Sequence, residues 1–174
     1  MKKYKLTDET ITRDGITLHR IQALKDFADV KAGDLGGWVE KESNLSQLGK
    51  SWVYDSAKVF GNAIVCGNAE VYCLAKVYGN AKVFGGAQVY DNAQVYGNAM
   101  VGDKSWVYDS AQVFGNAKVI DEARVFGNAK VFDKAKVIDE ARIYGNAKIY
   151  GNTKARDNAW VGGNIKVCGN AIIC

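Results

Sequence analysis

From Ser51 to Cys174 the apolar positions of this chain recur every six residues without an inserted residue. Stepping by six from Val53 to Ile173 gives 21 anchor positions, of which 17 are Val, three are Ile (Ile143, Ile149, Ile173) and one is Ala (Ala155). The residue two before the anchor is Ala in 17 of these 21 hexads. Residues two apart on an extended chain share a side, so Ala and the anchor point into a core while the residues flanking the anchor point out. Gly or Asp followed by Asn then supplies backbone conformations that β-branched residues resist. Each hexad is therefore one short strand and one corner, and a fixed short period of this kind predicts a solenoid.

Departures from the consensus give the size of a coil. VIDEAR stands at 119 and again at 137, SWVYDSA at 51 and again at 105, and Asp103, Asp121, Asp139 and Asp157 follow one another at steps of 18. Three hexads make one turn. The expected fold is all-β, a triangular parallel β-solenoid of about seven 18-residue coils over residues 51–174. Residues 1–50 do not repeat and are expected to form an N-terminal β-hairpin cap. KYKLT reads as a short strand, and TITRDGITLHRIQAL as two strands joined at Asp14-Gly15, a pair suited to a tight hairpin turn. Phe27, Val30, Leu35, Trp38 and Val39 are expected to cover the open end of the first coil, because a solenoid end otherwise exposes apolar core and unpaired strand edges.

This pattern resembles the hexapeptide-repeat left-handed β-helix, best known from bacterial acyltransferases; the left hand is implied by that resemblance alone. The cap's DVKAGDLGGWVE followed by such hexads is also similar to a group of uncharacterised bacterial and phage-borne hexapeptide-repeat proteins often labelled as acyltransferases by fold. The resemblance implies acyl transfer from an acetyl-CoA-type donor, with a histidine as general base and a loop leaving the coil. This chain departs from both, since its one histidine, His19, falls in the cap and the hexads run without insertion. His19 is the sole catalytic candidate, and an enzyme would need a site at a subunit interface. The expected function is instead a non-catalytic solenoid serving as a rigid protein-interaction or structural module, without cofactor, with acetyl-CoA entering only under the enzyme alternative.

The outward positions sort into three columns at 18-residue steps. The first carries Lys58, Lys76, Gln94, Gln112, Lys130, Lys148 and Lys166 beside Phe60, Tyr78, Tyr96, Phe114, Phe132 and Tyr150. Cations interleaved with rings suit a polyanion or single-stranded nucleic acid, so Lys58, Lys76, Lys130, Lys148, Lys166, Tyr78, Tyr96, Phe132 and Tyr150 form a second candidate binding surface. Ring stacking along a parallel ladder explains the same column without a ligand. A second column carries Trp52, Glu70, Gln88, Trp106, Arg124, Arg142 and Trp160 beside Tyr54, Tyr72, Tyr90, Tyr108, Phe126 and Tyr144, and the third mixes Ile64 and Met100 with lysines.

Composition narrows the rest. A net charge of +4 is too mild to argue for nucleic acid by itself. Cys66, Cys73, Cys168 and Cys174 lack metal-ligand spacing and read as small apolar fillers. The Asp corner, joined by Glu122 and Glu140, could ladder a hard cation, but Asp standing for Gly in a turn, balanced by Lys104, Arg124 and Arg142, is the expectation, and no metal site is expected. No apolar run reaches a membrane span, so a cytoplasmic protein without membrane contact is expected. Ile172, Ile173 and Cys174 form an apolar last coil, expected to pair two copies end to end as a homo-oligomer, with a trimer through the Trp52, Trp106 and Trp160 column as the alternative.

Overall fold

The computed structural model describes residues 2–174. Every hexad contributes a two-residue strand, from Trp52–Val53 to Ile172–Ile173, and within the solenoid each pairs in parallel with its neighbours 18 residues away. The ladders form three sheets. The anchors from Val53 to Ile149 are fully buried, as are the alanines beside them. The expected side-chain alternation and triangular parallel solenoid are both present. No helix among the described residues is long and apolar enough to cross a membrane.

The corners explain why Asp alternates with Gly. Asp55, Asp91, Asp103, Asp109, Asp121, Asp133, Asp139 and Asp157 all have φ between 50 and 62°, the left-handed region that Asp tolerates better than most residues. The N–H of a corner residue lies outside the strand ladder, and an Asp one coil earlier accepts it. Asp103 accepts from Asp121 at 3.4 Å, Asp121 from Asp139 at 3.3 Å and Asp139 from Asp157 at 3.0 Å. The same contact joins Asp109 to Gly127 and Asp133 to Gly151. Asp thus replaces Gly in the turn, as expected, and adds a bond between coils that the turn argument did not foresee. The expected charge balance is different: Lys104 pairs with Glu122 at 3.1 Å, while Arg124 and Arg142 lie over the rings of Trp106 and Trp160 at 4.5 and 4.6 Å.

The N-terminal residues extend one sheet. β1 (Tyr4–Arg13) and β2 (Ile16–Ala23) form an antiparallel hairpin through Asp14 and Gly15, both at positive φ. The two short strands expected before Asp14 are one ten-residue strand, with a register shift between Leu6 and Thr10 absorbing the irregularity. β3 (Leu35–Val39) pairs antiparallel with β2 and parallel with Lys58–Val59, which sets Val39 beside Val59. Leu45 likewise pairs with Val65. These partners are about twenty residues apart rather than 18, and the excess is taken up between Leu45 and Val53, where Leu48 is 80% exposed.

The cap closes over Trp52, which is 1% exposed. Tyr4 and Phe27 meet its ring edge-on at 6.0 and 5.3 Å. Gly36 and Gly37 are required by this approach: a Cβ on Gly36 would fall 2.6 Å from Trp52 Cζ2, and one on Gly37 2.7 Å from the Ala57 carbonyl. Tyr4 places its hydroxyl 2.7 and 2.8 Å from the carbonyl oxygens of Glu42 and Leu45. Lys3 is also buried; its Nζ donates to the Ser51 carbonyl at 2.7 Å and lies 5.2 Å from the Phe27 ring. Burial, and then the charge of Lys25, push its pKa down to about 8.

Candidate functional site

The first outward column is built as the spacing predicts. Trp38, Lys58, Lys76, Gln94 and Gln112 are successive register partners, and the series continues through Lys130, Lys148 and Lys166. One residue beyond each anchor, Phe60, Tyr78, Tyr96, Phe114, Phe132 and Tyr150 stack with centroids 4.8 to 5.0 Å apart and planes within 5°. That spacing is the strand spacing itself. Half-burial in the stack raises the pKa of Tyr78 and Tyr96, so these hydroxyls stay protonated and neutral beside the lysines.

The lysines have no acidic partners. None of the ion pairs among the described residues involves Lys58, Lys76, Lys130, Lys148 or Lys166, nor Lys82, Lys118, Lys136 or Lys154 of the third column. Instead they face each other: Lys58 against Lys76, Lys130 against Lys148 and Lys148 against Lys166 on one side, Lys118 against Lys136 and Lys136 against Lys154 on another. Like charges directly opposite in a ladder destabilise it.

The second column differs from its expected form. Trp52 belongs to it by register but is sealed beneath the cap, so Trp52, Trp106 and Trp160 do not make one free face. Trp106 is half-buried against Arg124, and Trp160, 63% exposed, meets Arg142. At the cap end Tyr54 donates its hydroxyl to Asp29 at 2.7 Å and turns edge-on to Tyr72.

His19 stands apart from both columns. Its neighbours Leu18 and Arg20 project to the outer side of the sheet, where Arg20 lies 5.2 Å from the Trp38 ring, so His19 faces the other way by alternation. Its Nδ1 lies 3.4 Å from the Thr7 carbonyl. The Asp corner carries the ladder of carboxylate-to-N–H bonds described above. Ile172, Ile173 and Cys174 lie in the last coil, with Ile172 59% exposed.

One cavity, of about 490 Å³, opens where the hairpin tip overhangs the first column. Arg13, Asp14, Ile11, Ile16 and Leu18 line it from the hairpin, and Lys58, Phe60 and Lys76 from the solenoid. The sequence gives no direct sign of it, because the two sides are forty or more positions apart and only one of them repeats.

Two similarities to known proteins agree with this architecture. A family model described as the YdcK beta solenoid repeat matches residues 93–109. Over 77 residues the chain is 40% identical to a protein of Escherichia coli (strain K12) named uncharacterized acetyltransferase YdcK, a match spanning 39% of this chain and 24% of that protein. With the uninterrupted hexads and the three parallel ladders, they support a hexapeptide-repeat β-solenoid similar to those of acyltransferases.

Proposed function

We propose that the chain is a rigid interaction module that presents its lysine ladders to an acidic protein surface. The observation that carries this reading is the stacking of unpaired lysines on one another. Core packing and corner geometry do not require Lys at these outward positions; Gln94 and Gln112 occupy equivalent places in the same column. A ladder that sets Lys130, Lys148 and Lys166 side by side accepts repulsion which an acidic partner relieves. The solenoid suits this role because each charge is fixed by a backbone ladder and little ordering is required on binding. Affinity capture with the wild-type chain and with a Lys130→Gln, Lys148→Gln, Lys166→Gln variant tests it. Acidic proteins retained by the wild type and released by moderate salt are the expected result. Equal retention by both chains, or retention of nucleic acid alone, overturns it.

A second reading is acetyl transfer, supported by the name of the E. coli relative. His19 is the one imidazole that could act as base, and it lies in the cap away from the lysine column. Calorimetric titration with acetyl-CoA discriminates: the interaction-module reading expects no heat of specific binding, and saturable binding coupled to loss of the thioester would replace it with the enzymatic one.

A further inference from the structure

The two aromatic ladders end differently at the cap. On the second column the last ring, Tyr54, is turned edge-on and tied to Asp29, so that ladder is closed. On the first column the last ring, Phe60, stays flat against Tyr78, with planes 2° apart, and no ring stacks on its other side. The residue one coil earlier in register is Glu40, whose carboxylate is occupied in accepting the Gly61 N–H at 2.6 Å. Phe60 instead lines the cavity beneath the hairpin tip.

The cavity walls are divided by chemistry. Ile11, Ile16, Leu18 and Phe60 are apolar, while Arg13, Lys58 and Lys76 supply three cations against one carboxylate, Asp14. None of these four charged groups forms an ion pair among the described residues. Lys58 is the most constrained: burial, then Lys76, then Arg13 push its pKa below the ordinary lysine value. Three cations thus border one apolar-walled space with a single carboxylate among them, and Lys58 Nζ also donates to the Ser56 carbonyl at 3.3 Å. A volume of about 490 Å³ lies within the roughly 300–1,000 Å³ range of small-molecule sites.

We infer that this cavity binds a small anion with a planar aromatic part, of the nucleoside phosphate class, the base extending the ring ladder at Phe60 and the phosphate held by Arg13, Lys58 and Lys76. A base stacks on any ring that offers a face, and a guanidinium with two ammonium groups matches a phosphate in geometry and charge. Inorganic phosphate would satisfy the cations alone and leave the apolar wall wet. This site goes beyond the lysine-ladder reading, since it needs Arg13 and the hairpin, which that reading does not use.

The test is titration of the full chain with AMP, followed by calorimetry and by saturation-transfer NMR on the adenine protons. Saturable binding that weakens with salt is expected, with inorganic phosphate binding about tenfold or more weakly. Arg13→Gln should weaken AMP binding about tenfold, while Lys25→Gln, which removes the same charge from the cap outside the cavity, should leave it unchanged. Phe60→Leu keeps an apolar side chain at the position and should weaken AMP binding while leaving phosphate binding unchanged. The proposal is overturned if the wild type shows no saturable AMP binding, if phosphate binds as tightly as AMP, or if Arg13→Gln and Lys25→Gln behave alike. Capture of acidic proteins through Lys130, Lys148 and Lys166 is scored separately, so either reading can fail alone.

Discussion

The capped first coil and the coils below it are made from the same hexads, yet an outward side chain meets a different neighbour in each. In the body it meets its own equivalent one coil away. Tyr90 stacks on Tyr108 at 4.9 Å, Asn80 donates to Asn98 at 3.0 Å, and Lys136 lies between Lys118 and Lys154. At the cap it meets something unlike itself: Trp52 meets Tyr4 and Phe27, Tyr54 meets Asp29, and the Ser51 carbonyl meets Lys3. Same-on-same contact favours rings, which stack, and amides, which carry both donor and acceptor. It penalises charges, which repel. The body therefore gains from its Tyr and Asn columns and loses from its Lys columns, while the cap gains from contacts that occur once each.

The most severe way to break the comparison is to remove the residue that joins the two regions. Trp52→Ala should cost about 3–5 kcal/mol in chemical denaturation and should loosen the hairpin while leaving the lower ladder formed. Hydrogen exchange along the chain checks this, with protection lost over residues 2–50 before it is lost over the middle coils.

A second effect, on the order of 2 kcal/mol, comes from Lys3. Its folded pKa is about 8 against 10.5 for an ordinary lysine, so between those values the unfolded chain holds a proton that the folded chain has released. Stability should rise from pH 8 toward pH 10. Above that range the buried Tyr4 and the half-buried Tyr72 and Tyr90, whose pKa values are raised first by desolvation, act in the opposite sense. Thermal melts of wild type and Lys3→Met across pH 8–10 should differ in slope, the variant being the flatter.

The body offers a subtler test at Ala155, the one anchor that is neither Val nor Ile. The same hexad carries Thr153 where the repeat has Ala; it is fully buried, with its hydroxyl donating to the Tyr150 carbonyl at 2.8 Å. The larger side chain stands two positions earlier along the strand, so the pair Thr–Ala carries as many side-chain heavy atoms as Ala–Val. Ala155→Val alone should therefore overpack and cost about 1 kcal/mol or more, Thr153→Ala alone should leave a cavity of similar cost, and the double variant should recover most of the loss. Additive losses in a double-mutant cycle would show that the two sites do not share a space.

The smallest effect concerns the like-charge ladder. Lys136→Gln, in the middle of Lys118, Lys136 and Lys154, should raise the melting free energy by a few tenths of a kcal/mol at low salt. The gain should vanish near 0.5 M salt, roughly where screening shortens the range of the repulsion to a few ångström. A loss of stability on removing this charge would contradict the repulsive reading of the lysine columns.

What the sequence determined by itself is everything that repeats: the inward Ala and anchor positions, three hexads to a coil, three outward columns, and the ring stack beside the lysines. A parallel ladder with a fixed step has only nearest-neighbour contacts, so the residue at i meets the residue at i + 18, and the order of the letters is already the contact map. Asp at the corners was legible as a turn residue from its position two after the anchor. Its carboxylate bond to the next coil depends on a corner N–H left outside the ladder, which only the backbone path reveals. Tertiary structure alone decided where the non-repeating residues went. It placed Trp52 under Tyr4 and Phe27 instead of on a free face, buried Lys3 against the Ser51 carbonyl, set Arg124 and Arg142 on tryptophans instead of aspartates, and closed a cavity between Arg13 and Lys58. Those contacts join segments with no common period, and their partners are chosen by shape, charge and the reach of one hairpin over the end of the prism.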